Sequence, residues 1–216
     1  MPPKPKFTKE EVARVAYRMI REEGLSSLTA RELGKRLGTS SSPIFTFYKN
    51  MDEVKMAARA LALAEFKETI SDYRSYTPAF KRIGMMLVSC GQNQPELFKL
   101  LFMQEHPETV GFESTVKDLG DVAETCISLI QSDYGMTPRE ARILFEVMWT
   151  QAFGLGAMCA MKVVSLTEEE IGRRLGMAFV SFSGFLKSGK LGEIHGDLER
   201  NSETYHGKPL SDLPRQ

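Results

Sequence analysis

Apolar residues along this chain recur at three- and four-residue intervals and do not alternate, so the pattern predicts helices nearly throughout. Val12, Val15, Ala16, Met19 and Ile20 share one face of a helix over 9–23. Thr8 and Glu11 form a capping box in front of it, and Gly24 suits its left-handed stop. Thr29 and Glu32 make a second capping box, with Leu28 and Leu33 placed as a hydrophobic staple across it. That helix covers 29–37 and ends at Gly38. A third helix, 41–47, starts among Thr39, Ser40 and Ser41. Pro43 lies in its first turn, where the missing N–H has no helical partner anyway. It carries Ile44, Phe45, Phe47 and Tyr48. Asn50 to Glu53 then caps a long helix that reaches about Tyr73.

The remainder repeats the same grammar. Thr77 with Pro78 just inside the cap starts a helix, and Pro95 opens a short one through Phe102. Residues 106–112 look like a loop, followed by a helix from about Glu113 to Tyr134 that Gly135 stops. Thr137, Pro138 and Glu140 combine three start signals for a helix to about Val164. Thr167 to Glu170 begins the last helix, which ends near 187–189. No segment alternates with period two between turn signals. The fold class is therefore all-α: a three-helix head over 1–50, a larger helical bundle over 51–189 and a loosely ordered polar tail over 190–216.

Composition narrows the class. With 42% hydrophobic and 26% charged residues among 216, the chain can bury a core and is not a disordered one. The longest uncharged apolar stretch, 147–161, falls short of the roughly 18 residues a membrane span needs. The N-terminus lacks an apolar signal region. Three scattered cysteines, Cys90, Cys126 and Cys159, give neither a disulfide framework nor zinc-ligand spacing. The expectation is a reduced cytoplasmic protein away from membranes. Net charge is zero, but residues 1–50 hold ten cations against five anions, so a +5 head sits on a −5 body. A basic head of this kind suits a polyanion.

Helices 29–37 and 41–47, joined at Gly38, Thr39 and Ser40, have the proportions of a helix-turn-helix. The major groove admits one helix, whose N-terminal side chains meet base edges. Residues 28–54, from Leu28 and Thr29 through the Gly38–Ser40 turn and the aromatic run Ile44–Tyr48 to Lys49–Val54, resemble the helix-turn-helix signature of the TetR/AcrR (tetracycline-repressor) family. The resemblance covers about residues 8–56. It implies that Thr29, at a helix N-terminus, binds a phosphate through its hydroxyl and nearby amides, that Arg31 reaches a phosphate or the groove, and that Lys49 pairs with a phosphate. It places Ser40, Ser41, Ser42, Pro43, Phe45, Thr46 and Phe47 at the DNA, and Ile44 and Tyr48 inward. Lys4 and Lys6 add electrostatic contact. Two positions depart from the family pattern: Phe45 and Phe47 replace groups that hydrogen-bond the DNA backbone. No Arg or Lys precedes Lys49 in the recognition element, so base readout falls to hydroxyls, methyl contacts and DNA shape.

The resemblance also implies a homodimer on a palindromic operator and a body that holds a small apolar or amphipathic effector. The last two helices are the expected dimer interface, through Phe153, Gly156, Ala160, Gly172, Gly176 and Phe179. Twelve methionines are many for this length. Met86, Met103 and Met148, with Phe66, Phe98, Phe102 and Trp149, are the expected pocket lining. No catalytic, metal-binding or cofactor pattern stands out. The near match to a phosphate loop at Gly184–Leu191 has Leu191 where a hydroxyl is needed, and it ends a helix instead of opening one. The function expected is a ligand-responsive dimeric transcriptional regulator, most simply a repressor. The alternative is an all-helical small-molecule-binding or interaction protein that has lost specific DNA recognition.

Overall fold

Helix α1 (Lys9–Glu23) begins where Thr8 and Glu11 cap each other and ends at Gly24, whose N–H donates to the Ile20 carbonyl at 2.8 Å. Its apolar face buries Val12, Ala16, Met19 and Ile20. The structure, a computed structural model, describes residues 7–104 and 121–189. Helix α2 (Ala30–Arg36) is capped by the Thr29 hydroxyl, which accepts from the Glu32 N–H at 3.2 Å. Only this half of the expected capping box forms. Asn50 likewise caps α3 (Met51–Thr69), which buries Val54, Ala58, Ala62 and Phe66 in a narrow four-residue stripe. Small residues in that stripe bring α1 close against α3.

A 3-10 turn at Ser71–Ser75 replaces the expected end of α3 and leads into α4 (Ala79–Asn93). Pro78 does not lie inside that helix: it is the cap residue itself, extended, after a cis Thr77–Pro78 bond. Helix α5 (Pro95–Phe102) matches expectation. Helix α6 (Asp121–Tyr134) is followed by α7 (Pro138–Ala160) and α8 (Glu168–Lys187), both with complete capping boxes at Thr137 and Thr167. These are eight α-helices, with no strand among the described residues. The expected loop at 106–112 and the tail at 190–216, like Lys4 and Lys6, lie outside them.

Helix α7 is the axis of the body and packs on α4, α5, α6 and α8. By length and composition it could cross a membrane. Here its apolar positions Leu144, Phe145, Met148, Trp149 and Ala152 are buried against the other helices. Helices α4 and α7 cross where Gly91 meets Gly156, so closely that a β-carbon on Gly91 would run into the Gly156 backbone. One hydrophobic cluster runs from Phe7 through to Leu186, and α1 reaches both α3 and α5. The head therefore moves against the body only by repacking shared core, not about a free linker.

Candidate nucleic-acid interface and effector cavity

Gly34 sets the helix-turn-helix geometry. A β-carbon there would lie 2.9 Å from the Ser40 backbone, so only glycine lets the turn fold back onto α2. Gly38 supplies the left-handed turn residue at φ +69°. After the turn, Ser42–Thr46 forms a 3-10 segment, shorter and tighter than the expected helix over 41–47. Pro43 removes one donor, and Asn50 is already extended as the next cap, so the chain has room for little more than a turn.

Two side chains lock this segment inward. Ile44 is fully buried, and Tyr48, 4% exposed, donates its phenol to the Lys9 carbonyl at 2.9 Å with the Lys9 ammonium over its ring. Thr29, Arg31, Ser40, Ser42, Phe45, Thr46 and Lys49 are exposed, and Ser41 and Pro43 half-buried. Phe45 is 44% exposed, unusual for a phenylalanine in a small head. Phe47 is half-buried instead, its ring tilted against Phe7 at 5.9 Å, so it serves the head's core at least as much as its surface. Thr46 donates to the Pro43 carbonyl at 2.7 Å, which stiffens the segment.

The head's positive charge is unevenly available. Arg36 pairs with Glu22 at 2.9 Å and also with Glu23, tying α2 to α1. Arg21 pairs with Glu65 at 2.8 Å. Lys49 is 88% exposed and only 3.9 Å from Glu53, a weak contact that leaves its ammonium free for an outside anion. Arg31 has no ion pair among the described residues.

In the body, the aromatic residues expected around a ligand pack on one another. Phe102 contacts Phe98, Phe66 and Trp149 with centroids 5.1, 5.5 and 5.8 Å away. Phe66 and Phe98 are buried core. Met103 is exposed at the end of α5, and Met86 is half-buried away from any cavity described here. The cavity lies elsewhere, among α4, α6, α7 and α8. It measures about 280 Å³ and is walled by Phe80, Ile83, Leu87, Phe145 and Leu175, with Met148 and Trp149 of the expected set. Gly176 and Phe179, expected at a dimer interface, line it too. Phe179 packs on Tyr134 at 4.6 Å and Phe80 at 6.2 Å. A wide, open cleft on the other side of Pro78 and Tyr134 carries Arg74, Asp121, Glu124 and Asp133.

Sequence reasoning missed the α4 wall. Phe80, Ile83 and Leu87 stand at helical spacing, but that spacing is equally a core signal, and nothing in it marks the concavity. The cysteines offer no nucleophile: burial pushes the Cys90 and Cys126 thiols up to about 12 and raises Cys159 as well.

The expected dimer residues do not share one outer face of the chain. Gly156, Ala160 and Gly172 are buried inside the chain, and the Phe153 ring stacks on Phe98 at 6.0 Å. Small residues that suggested contact between two copies are taken up by helix crossings within one. The exposed apolar residues of the last two helices are instead Met158 on α7, with Met161 just beyond it, and Met177, Val180 and Phe182 on α8.

No family model and no curated protein matches this sequence. Solved structures do match its shape. A TetR-like transcriptional regulator from Rhodococcus sp. RHA1 superposes at a TM-score of 0.59, with 12% identity over 84% of this chain and 100% of that one. Thermus thermophilus FadR, a TetR-family repressor in complex with lauroyl-CoA, gives 0.53 with 16% identity over 81% and 93%. The fatty acid degradation regulator FadR from Bacillus halodurans gives 0.52 with 13% identity over 83% and 96%. The fold is that of the TetR-family regulators. At such identities the TetR fold carries no residue role across.

Proposed function

We propose that this chain is a ligand-responsive, dimeric DNA-binding regulator of transcription, a repressor released from a palindromic operator when a small apolar or amphipathic effector enters the body. It would act in the cytoplasm, where the DNA is. The observation that carries this reading is the head's outer surface: a turn and a 3-10 segment whose Ser40, Ser42, Phe45, Thr46 and Lys49 are exposed while Ile44 and Tyr48 anchor it from beneath. Side chains held outward on a rigid support are what groove readout needs. The TetR-fold neighbours named for regulation support it.

What α4 touches supports a route for release. Its N-terminal half walls the cavity at Phe80, Ile83 and Leu87, and at its C-terminal end Gln94 accepts from Arg21 of α1 at 3.3 Å. Arg21 and the Tyr17 phenol both hold Glu65 of α3. A ligand that displaces α4 thus pulls on the joint between the head's first helix and α3. A coupling of about 1–3 kcal/mol is enough for a switch of roughly 5- to 150-fold.

Thr29→Ala combined with Lys49→Ala tests the docking of the head. Both side chains are exposed, so the fold should survive, with about 1 kcal/mol lost at the Thr29 cap. Selective duplex binding should be lost at about 150 mM salt, and the salt dependence of residual binding should be shallower by about 0.9 per phosphate contact removed. Normal binding by a folded double mutant would mean that the head docks by another face. The second reading, a binding protein without specific DNA recognition, is favoured by one observation: the shortened segment presents no cation before Lys49.

A further inference from the structure

The cavity's lining holds one charged group. Lys81, on α4, stands at its wall, and a β-carbon on Gly172 of α8 would lie 3.5 Å from its ammonium nitrogen. Among the described residues Lys81 has no ion pair or hydrogen bond, whereas its neighbour Arg82 reaches Asp72 and stacks on the Tyr76 ring. The rest of the lining is apolar apart from the Tyr134 phenol and the Cys126 thiol. The neighbouring cleft beyond Pro78 and Tyr134 carries Arg74 with Asp121, Glu124 and Asp133. Lys81 is thus the one charged residue on the lining of this cavity.

We propose that the cavity takes a medium-length aliphatic carboxylate, its chain against Leu87, Met148 and Trp149 and its head on Lys81. This rests on the reading of the cavity as the effector site and names the effector's chemistry. About 280 Å³ holds roughly nine groups of water size at ~30 Å³ each, so a nine-carbon tail fits with its carboxylate left at the rim. Lys81 is exposed, so the head group stays partly solvated and keeps its charge at little cost. Without Lys81 the rim offers the carboxylate no partner for the part of its water that it gives up, and the neutral alcohol is favoured. The sign of the preference between acid and alcohol thus reports whether the lysine recognises the ligand.

The chain carries its own probe: its single tryptophan, Trp149, lines the cavity. The experiment titrates the full-length protein with decanoate, 1-decanol and decylammonium below their micelle concentrations, following Trp149 fluorescence. Decanoate should bind about threefold or more tightly than decanol, the advantage of a partly exposed charge pair, with decylammonium weakest. Lys81→Gln should reverse the order of acid and alcohol while decanol binding stays within about twofold. Equal binding of acid and alcohol by the unaltered protein, tightest binding of decylammonium, an unchanged preference in Lys81→Gln, or no response to any of the three would each overturn the proposal. Duplex binding by the ligand-free protein is a separate assay. Its failure would sink the regulatory reading and leave this titration standing, and the reverse also holds.

Discussion

Gly91→Ala should lower the melting temperature by about 6–12 °C. Helices α4 and α7 form the most extensive helix pair in the body, and they cross with backbone against backbone at Gly91 and Gly156. The added β-carbon would meet the Gly156 carbonyl and Cα, which belong to the central helix and cannot rotate away as a side chain can. Relief requires separating the two helices, which also loosens Leu87, Val88 and Phe98, all buried beside the crossing. Overpacking of this kind costs about 3 kcal/mol, and at this chain length each kcal/mol shifts the midpoint by roughly 2–4 °C. Gly156→Ala should be milder. Its β-carbon would lie 2.6 Å from Cε2 of Phe98, a ring that can tilt. Calorimetry on the two variants checks both size and order. A Gly91→Ala midpoint within about 2 °C of the parent would mean that the crossing is looser than described.

In the proposed dimer, Met158→Asp combined with Met177→Asp should separate the two copies into 24.3 kDa monomers and weaken binding to a palindromic duplex by about 10²–10⁴. Met158, Met177, Val180 and Phe182 on the last two helices, with Met161 just beyond α7, are exposed apolar side chains, the kind of surface that a second copy would cover. An isologous contact would place each methionine near its symmetry mate, where two carboxylates would be desolvated facing each other. The substitutions sit at 38% and 64% exposure, so they should leave the fold of the single chain intact. Each copy would then hold only a half-site. Sedimentation reads the mass and helical circular dichroism reads the fold. A folded variant that still sediments as a dimer would place the interface elsewhere.

The helices were legible because their ends carry chemistry. Thr8 with Glu11, Thr137 with Glu140 and Thr167 with Glu170 form the reciprocal caps that their spacing calls for. Ile44 and Tyr48 are buried, on the inward face expected of them. The length of the recognition segment was not legible, because it is limited at both ends, by Gly34 beneath the turn and by the Asn50 cap beyond it. Gly156, Ala160 and Gly172 show a second limit. Helix α7 is apolar nearly all round, and for such a helix periodicity cannot say which side meets its own chain and which a second copy. Small residues mark a close crossing without naming the partner. The cavity was the least legible feature. A concavity is where side chains fail to meet, and Phe80, Ile83 and Leu87 around it look like any core stripe. Phe66, Phe98 and Phe102 were the better sequence candidates for a lining and are instead a packed aromatic chain.

The central claim is that the exposed face of the head reads DNA in two copies. Selection of bound duplexes from a random-sequence pool at about 150 mM salt tests it most directly, since loose phosphate binding is already weakened there. We expect enrichment of a palindrome whose half-sites lie about one helical turn, roughly 34–36 Å, or a multiple of it apart. A folded, dimeric protein that enriches no sequence would contradict it.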